Sequence, residues 1–277
     1  MSRVWTWTIF GFWALSMGFL FREKVMPGLL QTYYPSYQTL LGHELVEEKY
    51  QMGIFILGQA KESRIGVSRT TIESLPAEAA GDPAFSIHND TTIDLTAIGN
   101  TLGADLTIRT TTLIDTRYRV RSHDVLIKTG VGDFIMSGVV RDESTLEVQI
   151  QTPFRREPEK RSMYFDSGMT LSNGISPFLT MPRLRIGREW NIHQIDPMSV
   201  VFGNEVRTKP LLARVERVET IRIEGKDVET FVVSLKSDRY EATAWISEDG
   251  KVMQERVPFS TGVPLLMRRE RWTEPGR

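Results

Sequence analysis

Residues 104–109 read ADLTIR, a stretch in which apolar and polar side chains alternate one by one. In an extended chain its apolar residues fall on one side and its polar residues on the other. The same alternation returns in residues 146–151, LEVQIQ, and in residues 231–235, FVVSL. A period of two is typical of strands that bury one face. The pattern therefore predicts a mainly β domain.

Turn residues separate the alternating segments. Glu224 and Gly225 stand between two of them, and Asp249 and Gly250 stand between the next two. Glycine adopts positive φ without steric cost, as tight hairpin turns require. We therefore expect hairpins at both places, with positive φ at Gly250. Residues 74–83, SLPAEAAGDP, are typical of a surface loop between strands.

The alternation begins near residue 51 and predicts the architecture of the rest of the chain. We expect a large curved antiparallel sheet, either a half-barrel or two stacked sheets, with a minor helical part. Residues 51–165 would form a first β half and residues 166–277 a second half of the same domain. Residues 25–50 carry apolar side chains at helical spacing, which predicts a juxtamembrane helix or linker.

Residues 4–21, VWTWTIFGFWALSMGFLF, contain no charged side chain. As a helix they would be roughly 27 Å long, close to the hydrocarbon thickness of about 30 Å. We predict a membrane anchor within residues 1–24, a single transmembrane helix in contact with the lipid bilayer. A cleaved secretory signal is the alternative, but bulky Leu20 and Phe21 occupy the place where a peptidase requires small residues. The aromatic residues of the anchor are Trp5, Trp7, Phe10, Phe12, Trp13, Phe19 and Phe21.

Orientation follows from the position of the anchor. A lone N-terminal span before a long domain usually acts as an uncleaved signal anchor, and long domains cross the membrane largely regardless of flanking charge. We therefore predict a single-pass protein of the bacterial inner membrane whose C-terminal domain is periplasmic. The formal net charge of −1 gives no indication of a nucleic-acid partner.

Catalytic and metal-binding patterns are absent from the sequence. The chain has no cysteine, which excludes disulfides and thiol nucleophiles. Its four histidines are scattered, and none has metal-ligand spacing. His88, Asn89 and Asp90 form one polar cluster, which we place at the start of a strand in a turn-forming or surface role. We predict neither enzymatic activity nor a cofactor.

A basic stripe is the one candidate binding pattern. Arg117, Arg119, Arg121 and His123 alternate with other residues, so on a single strand they would share one face. Such a face could bind anions, including lipid headgroups. The alternative is a solvated outer face that pairs with acidic residues on neighbouring strands.

Three longer segments carry a family resemblance: MGIFILGQAKESRIGVSRTTIE at residues 52–73, PRLRIGREWNIHQIDPMS at 182–199 and YEATAWISEDGKVMQERVP at 240–258. They resemble the membrane-anchored β-rich region that precedes the catalytic core in bacterial transglutaminase-like proteins, a lipoprotein-carrier-like curved sheet. The matching residues are Gly53, Gly58, Ile65, Gly66, Ser68, Gly187, Trp190, Trp245, Asp249, Gly250 and Val252. The family's cysteine nucleophile has no counterpart here, so the resemblance implies the fold without the acyl-transfer activity.

These observations favour a non-enzymatic, membrane-anchored envelope protein that acts as a binding or scaffolding subunit. Its partners would be the bilayer, through residues 4–21, and another integral membrane protein. The alternative is a carrier-like domain that binds a lipid or other apolar ligand on a concave sheet. A hydrolase would require a carboxylate pair or a Ser-His contact in a cleft.

Overall fold

A computed structural model describes residues 16–17, 48–57, 62–79, 82–96, 105–142, 144–165, 184–195, 208–237, 240–258 and 264–273. The chain divides into two compact units, Met1–Tyr34 and Pro35–Arg277, and all of the described strands lie in the second unit. The strands are β1 (Glu48–Leu57), β2 (Glu62–Ser74), β3 (Pro83–Asp94), β4 (Asp105–Asp115), β5 (Val120–Thr129), β6 (Gly132–Asp142), β7 (Thr145–Gln151), β8 (Glu159–Tyr164), β9 (Glu189–Ile195), β10 (Thr208–Ile223), β11 (Lys226–Ser237), β12 (Tyr240–Ser247), β13 (Val252–Pro258) and β14 (Pro264–Glu270).

All fourteen described strands form one open antiparallel sheet, which confirms the prediction of a mainly antiparallel β fold. Its order is β8-β7-β6-β5-β4-β3-β2-β1-β14-β13-β12-β11-β10-β9. Two meanders, β1 to β8 and β9 to β14, therefore meet where β1 pairs with β14. Neighbours in sequence are neighbours in the sheet within each meander, as short connections between antiparallel strands favour.

One face of the sheet, here called the inner face, carries the apolar core. Buried and exposed residues alternate along most strands. The buried residues of one strand pair with buried residues of the neighbouring strand. Ile54, Ile87, Ile127, Val233 and Leu265 mark this face from one meander to the other. Strands β10 and β14 also contact each other, although three strands separate them in the sheet order, so this part of the sheet is strongly curved.

The predicted hairpin turns are present. Glu224 and Gly225 join β10 to β11 with φ of 50° and 79°, the pair of positive values that a two-residue hairpin of type I′ requires. Gly250 has φ of 84° between β12 and β13, which confirms that prediction. The amide of Ser247 donates to the carbonyl of Lys251 at 2.9 Å and closes this second turn.

The N-terminal predictions fall largely outside the described residues. Of the predicted anchor, residues 4–21, only Ser16 and Met17 are described, and both are helical. Within the described ranges, no helix has the length and apolar character needed to cross a membrane. Most of the predicted helix or linker, residues 25–50, also lies outside them. Its last residues, Glu48 to Tyr50, begin β1, so that end of the helical prediction is wrong.

Ionic contacts cross the junction between the two meanders on the face opposite the core, the outer face. Arg268 on β14 donates to both carboxylate oxygens of Glu62 at 3.1 Å, and Arg64 donates to Glu270 at 2.8 Å. Gly53 on β1 lies between these groups, and a Cβ there would stand 2.3 Å from the Glu270 carboxylate. These outer-face contacts accompany the pairing of β1 with β14 that joins the two meanders.

Candidate functional site

The predicted basic stripe does not lie on one face of one strand. Arg117 and Arg119 lie in the turn before β5, and their backbone amides donate to Asp115 Oδ1 at 2.8 and 3.0 Å. Arg121 Nε lies 3.7 Å from Asp115 Oδ2, whereas His123 is buried on the inner face. The predicted shared face is therefore wrong, and anion binding by the arginines stays a prediction.

A β-bulge accounts for this difference. Ile114 on β4 pairs with Val120, but the preceding Leu113 pairs with Ser122, so Arg121 is an extra residue in β5. A bulge of this kind shifts the alternation of every residue after it. The histidine of the predicted stripe consequently faces the core rather than solvent.

Polar side chains cross the inner face over five neighbouring strands. We call this set the polar band: Tyr50, Ser68, Thr70, Asn89, Thr91, Thr110, Thr112 and His123. Its central row runs from strand to strand through direct pairs, Tyr50 with Thr70, Thr70 with Asn89, and Asn89 with Thr110. Except for the partly buried tyrosine, every member is at most 6% exposed. Buried positions of this kind are normally apolar.

Four central members of the polar band, Ser68, Thr70, Asn89 and Thr91, are connected by hydrogen bonds. Asn89 Nδ2 donates to Ser68 Oγ at 2.9 Å and to Thr70 Oγ1 at 3.0 Å. Thr91 Oγ1 lies 2.7 Å from Ser68 Oγ and 2.9 Å from Asn89 Oδ1, and its single proton can serve either acceptor. These contacts hold the amide and the hydroxyls in fixed orientations.

His123 occupies the far end of the polar band on β5. Its Nδ1 lies 2.9 Å from Thr112 Oγ1 on the neighbouring strand. Burial disfavours the charged imidazolium and lowers the pKa of His123 from 6.5 to about 4. The side chain is therefore neutral near pH 7.

Two uncharged, buried hydrogen-bonding groups on the described part of the inner face are unsatisfied. Thr110 Oγ1, in the central row of the polar band, has no hydrogen-bond partner, and neither has the indole Nε1 of Trp190 on β9. Trp190 pairs with Ala213, an inner-face residue of β10, and its side chain is 7% exposed. Leaving such a group buried without a partner costs roughly 1–3 kcal/mol.

The other end of the polar band is charged and lies where the two meanders meet. Arg269 Nη2 on β14 lies 2.6 Å from Glu48 Oε1 on β1, and its guanidinium stands 5.0 Å from the centre of the Tyr50 ring. Burial raises the pKa of Tyr50 to about 12; the nearby Glu255 and Glu48 add to this, whereas a hydrogen bond with Thr70 opposes it. This end of the polar band therefore contains ionisable groups of both signs, Glu48, Glu255 and Arg269.

The predicted polar cluster at His88, Asn89 and Asp90 divides between the two faces. It lies in the middle of β3 rather than at its start, so the predicted position is wrong. Asn89 belongs to the polar band, whereas His88 and Asp90 are on the outer face, where Asp90 accepts a hydrogen bond from Arg109 at 2.9 Å. Alternation along the strand separates residues that are adjacent in sequence.

A serine–histidine contact is present on the outer face. Ser86 Oγ lies 2.8 Å from His88 Nε2, and His88 Nδ1 lies 3.0 Å from Thr111 Oγ1. The serine is only 3% exposed, and the third group is a hydroxyl rather than the carboxylate that orients a catalytic histidine. The geometry is that of a structural hydrogen-bond chain. No group of metal-binding side chains occurs within the described parts of the chain.

The sequence contains a signal for the polar band, but a search for alternating hydrophobic residues does not detect it. Residues 105–115, DLTIRTTTLID, contain Thr110 and Thr112 where the alternation requires apolar residues. Threonine is common on both faces of strands, so one such residue indicates little. Polar residues at inner positions of several successive strands are informative only once the pairing register is known.

Comparison with known proteins gives little beyond these observations. The sequence matches no protein-family model, and no curated protein resembles it significantly. The structure is similar to that of a DUF1089 family protein from Pseudomonas aeruginosa, over 71% of this chain and 92% of that chain, with 8% sequence identity and a TM-score of 0.37. Similarity at this level transfers neither function nor site residues.

Proposed function

We propose that the protein is a non-enzymatic, carrier-like domain that holds an amphiphilic ligand against the inner face of its curved sheet, in the manner of a half-barrel. The polar band supports this proposal most directly. It would meet the polar part of the ligand, while the apolar residues around it meet the hydrocarbon part. Ligand sites in proteins commonly combine an apolar lining with a few fixed polar groups.

The energetics of the polar band favour a ligand over a filled core. A core packed for stability alone would place valine or isoleucine at these positions and avoid the cost of unsatisfied groups. Small side chains face the same interior from the second meander, namely Ala213, Ala242 and Ala244, all essentially unexposed. Alanine occupies little volume, which is compatible with space for a ligand chain.

Adding a large side chain to the inner face tests the proposal. The full chain, kept in phospholipid nanodiscs, would be labelled with a diazirine-bearing alkyl probe and the labelled peptides identified by mass spectrometry. We expect labelling of the inner-face strands, and we expect Ala242→Phe to reduce it while leaving the melting temperature nearly unchanged. The matched control is Thr243→Phe, which adds the same ring to the outer face of β12.

A filled core predicts the opposite result. Overpacking would then cost about 1–3 kcal/mol in Ala242→Phe, and the inner-face strands would not be labelled in either protein. That combination would refute the carrier proposal.

A second candidate is a membrane-anchored scaffolding subunit, with the anchor in the bacterial inner membrane and the sheet in the periplasm. It is supported by the charge-free residues 4–21 and by the resemblance to the β-rich region of membrane-anchored transglutaminase-like proteins. Protease treatment of spheroplasts tests the orientation, because a periplasmic sheet would be digested while the membrane is intact. Purification in mild detergent should also recover a stoichiometric integral membrane protein. Protection of residues 48–273 would contradict this candidate.

A further inference from the structure

We propose that one end of the sheet binds the surface of a membrane that contains anionic lipids. The binding surface consists of two loops, residues 130–131 between β5 and β6 and residues 152–158 between β7 and β8, and we call it the tip. The proposal does not depend on a ligand on the inner face. It follows from the exposure of apolar side chains at the tip, from the way they are held and from the charge around them.

The two loops of the tip are in contact. Thr129 pairs with Gly132 across the β5–β6 hairpin, and Ile135 pairs with Gln151 where β7 ends. Both loops therefore lie at the same end of the sheet. A Cβ added to Gly132 would stand 2.6 Å from Pro153 Cβ, so the backbone of the first loop lies directly against a side chain of the second.

Two large apolar side chains of the tip are exposed to solvent. Phe154 is 73% exposed and Val131 is 49% exposed. Single exposed apolar residues are common on protein surfaces and need no explanation. Here two of them come from adjoining loops, and polar residues surround them, as at protein and membrane contact sites.

The second loop holds Phe154 in its exposed position. The amide of Arg155 donates to the carbonyl of Thr152 at 3.2 Å and closes a turn whose second residue is Pro153, a position that proline favours. The ring of Phe154 stands 5.9 Å from that of the buried Phe134, at an interplanar angle of 67°. The phenylalanine is thus supported by the core while most of its ring faces solvent. A side chain that is already held in place loses little conformational freedom on binding.

The charge of the tip favours an anionic surface. Residues 152–161 contain four basic and two acidic side chains, a net charge of +2, whereas the whole chain has a net charge of −1. Glu159 is paired with Arg155 and, at 2.6 Å, with Arg161. Arg156 is exposed and makes no ion pair within the described parts of the chain. Its guanidinium is therefore available to a lipid phosphate beside the exposed phenylalanine.

A lipid surface accepts this combination of groups without a preformed partner site. An aromatic ring can enter the boundary between headgroups and acyl chains while the adjacent basic side chains contact anionic headgroups. An acidic protein would attract the arginines equally well, but it would need a pocket for a ring that projects from a loop. The exposed ring therefore favours the membrane as the partner.

Single-cysteine labelling tests the proposal, because the chain contains no cysteine of its own. The full chain with Val131→Cys would carry a nitrobenzoxadiazole fluorophore, whose emission rises when it leaves water. It would be measured with nanodiscs of phosphatidylcholine alone or of an equal mixture with phosphatidylglycerol. We expect the probe to enter the anionic bilayer far more than the zwitterionic one. We also expect it to withdraw at about 1 M salt, where the Debye length is about 3 Å.

A label at Tyr164→Cys is the matched control for position. Tyr164 is 72% exposed, nearly the same as Phe154, but it lies at the end of β8 that is remote from the tip. Its probe should stay in water in both kinds of nanodisc.

Substitutions beside the Val131 probe separate the two contributions. Arg156→Gln should lower the ratio of bilayer-bound to water-exposed probe about fivefold, the effect of one basic residue near an anionic surface. Phe154→Ser should lower this ratio about tenfold, because the ring no longer enters the interface. Arg141→Gln, which changes an exposed arginine near the opposite end of β6, should have no effect.

Three results would overturn the proposal. The first is a Val131 probe that stays in water with anionic nanodiscs. The second is an equal response at Tyr164, or equal effects of Arg156→Gln and Arg141→Gln, since the tip would then not make the contact. The third is an equal response of the Val131 probe to poly-glutamate without lipid, which would assign the tip to an acidic protein partner instead.

Discussion

Acidification should destabilise this protein through one buried imidazole. His123 is 2% exposed, and its Nδ1 shares a hydrogen bond with Thr112 Oγ1. Burial lowers its pKa from 6.5 to about 4 in the folded protein. Above pH 6.5 neither the folded nor the unfolded chain binds this proton, so His123 has no effect. Between pH 6.5 and about 4 only the unfolded chain binds the proton. The free energy of unfolding therefore decreases as the pH is lowered through this range.

The magnitude follows from the size of the pKa shift. At about 1.4 kcal/mol per pKa unit, the change from 6.5 to about 4 corresponds to a loss of about 3 kcal/mol. The loss should level off below pH 4, where the folded protein also takes up the proton. This is a large share of the roughly 5–15 kcal/mol that is typical of domain stability.

Urea unfolding of wild type and His123→Asn, measured from pH 7.5 to pH 4, isolates this effect. Asparagine places a polar atom near the position of Nδ1 and does not titrate. Its stability can differ from wild type by a constant amount, and only the pH-dependent part of the difference is informative. We expect wild type to lose about 3 kcal/mol more than the variant over this range.

His88→Gln is the matched control, because it removes an imidazole from the exposed outer face of the adjacent region of the sheet. It should retain the wild-type loss of stability in acid. Parallel stability curves for wild type and His123→Asn would refute the reasoning, since the imidazole would then titrate alike in the folded and unfolded chains.

Three further predictions concern the sheet. Gly66→Ala should cost more than about 2 kcal/mol in urea unfolding, because a Cβ there would stand 2.2 Å from the backbone carbonyl oxygen of Thr92. Gly250→Val should lower the melting temperature, because a β-branched residue is strained at φ of 84°. Arg269→Met should cost about 2 kcal/mol or more, because it leaves the largely buried Glu48 carboxylate without its counter-ion.

Each of these changes has a measurable contrary outcome. If Gly66→Ala had the same free energy of unfolding as wild type, β2 and β3 would not approach each other as closely as the structure shows. An unchanged melting temperature in Gly250→Val would contradict the turn assignment. Arg64→Met, which breaks the more exposed pair with Glu270, is the control for Arg269→Met and should cost at most about 1 kcal/mol. Equal effects of the two arginine changes would contradict the buried character of the inner pair.

The elements of the sheet were predictable because their signals are local. The strands around Leu106, Val148 and Val233 alternate as expected, with these residues buried. Gly225 and Gly250 mark turns for the same reason, since positive φ is a property of single residues and their neighbours. The alternating pattern predicted the wrong faces in β5. Arg121 is an extra residue there, and it moves the later side chains of the strand to the opposite faces.

Alternation in the sequence therefore determined that this chain forms strands and antiparallel hairpins, because side-chain direction and turn geometry depend on a few consecutive residues. Only the tertiary structure decided which strands are neighbours and which polar residues meet. Glu48 and Arg269 are separated by 221 positions, and Tyr50 and His123 are brought onto one face by the registers of four successive strand pairs. A shift of one residue in any of those registers would move polar side chains to the opposite face. The polar band is thus a property of the pairing, which no single stretch of sequence contains.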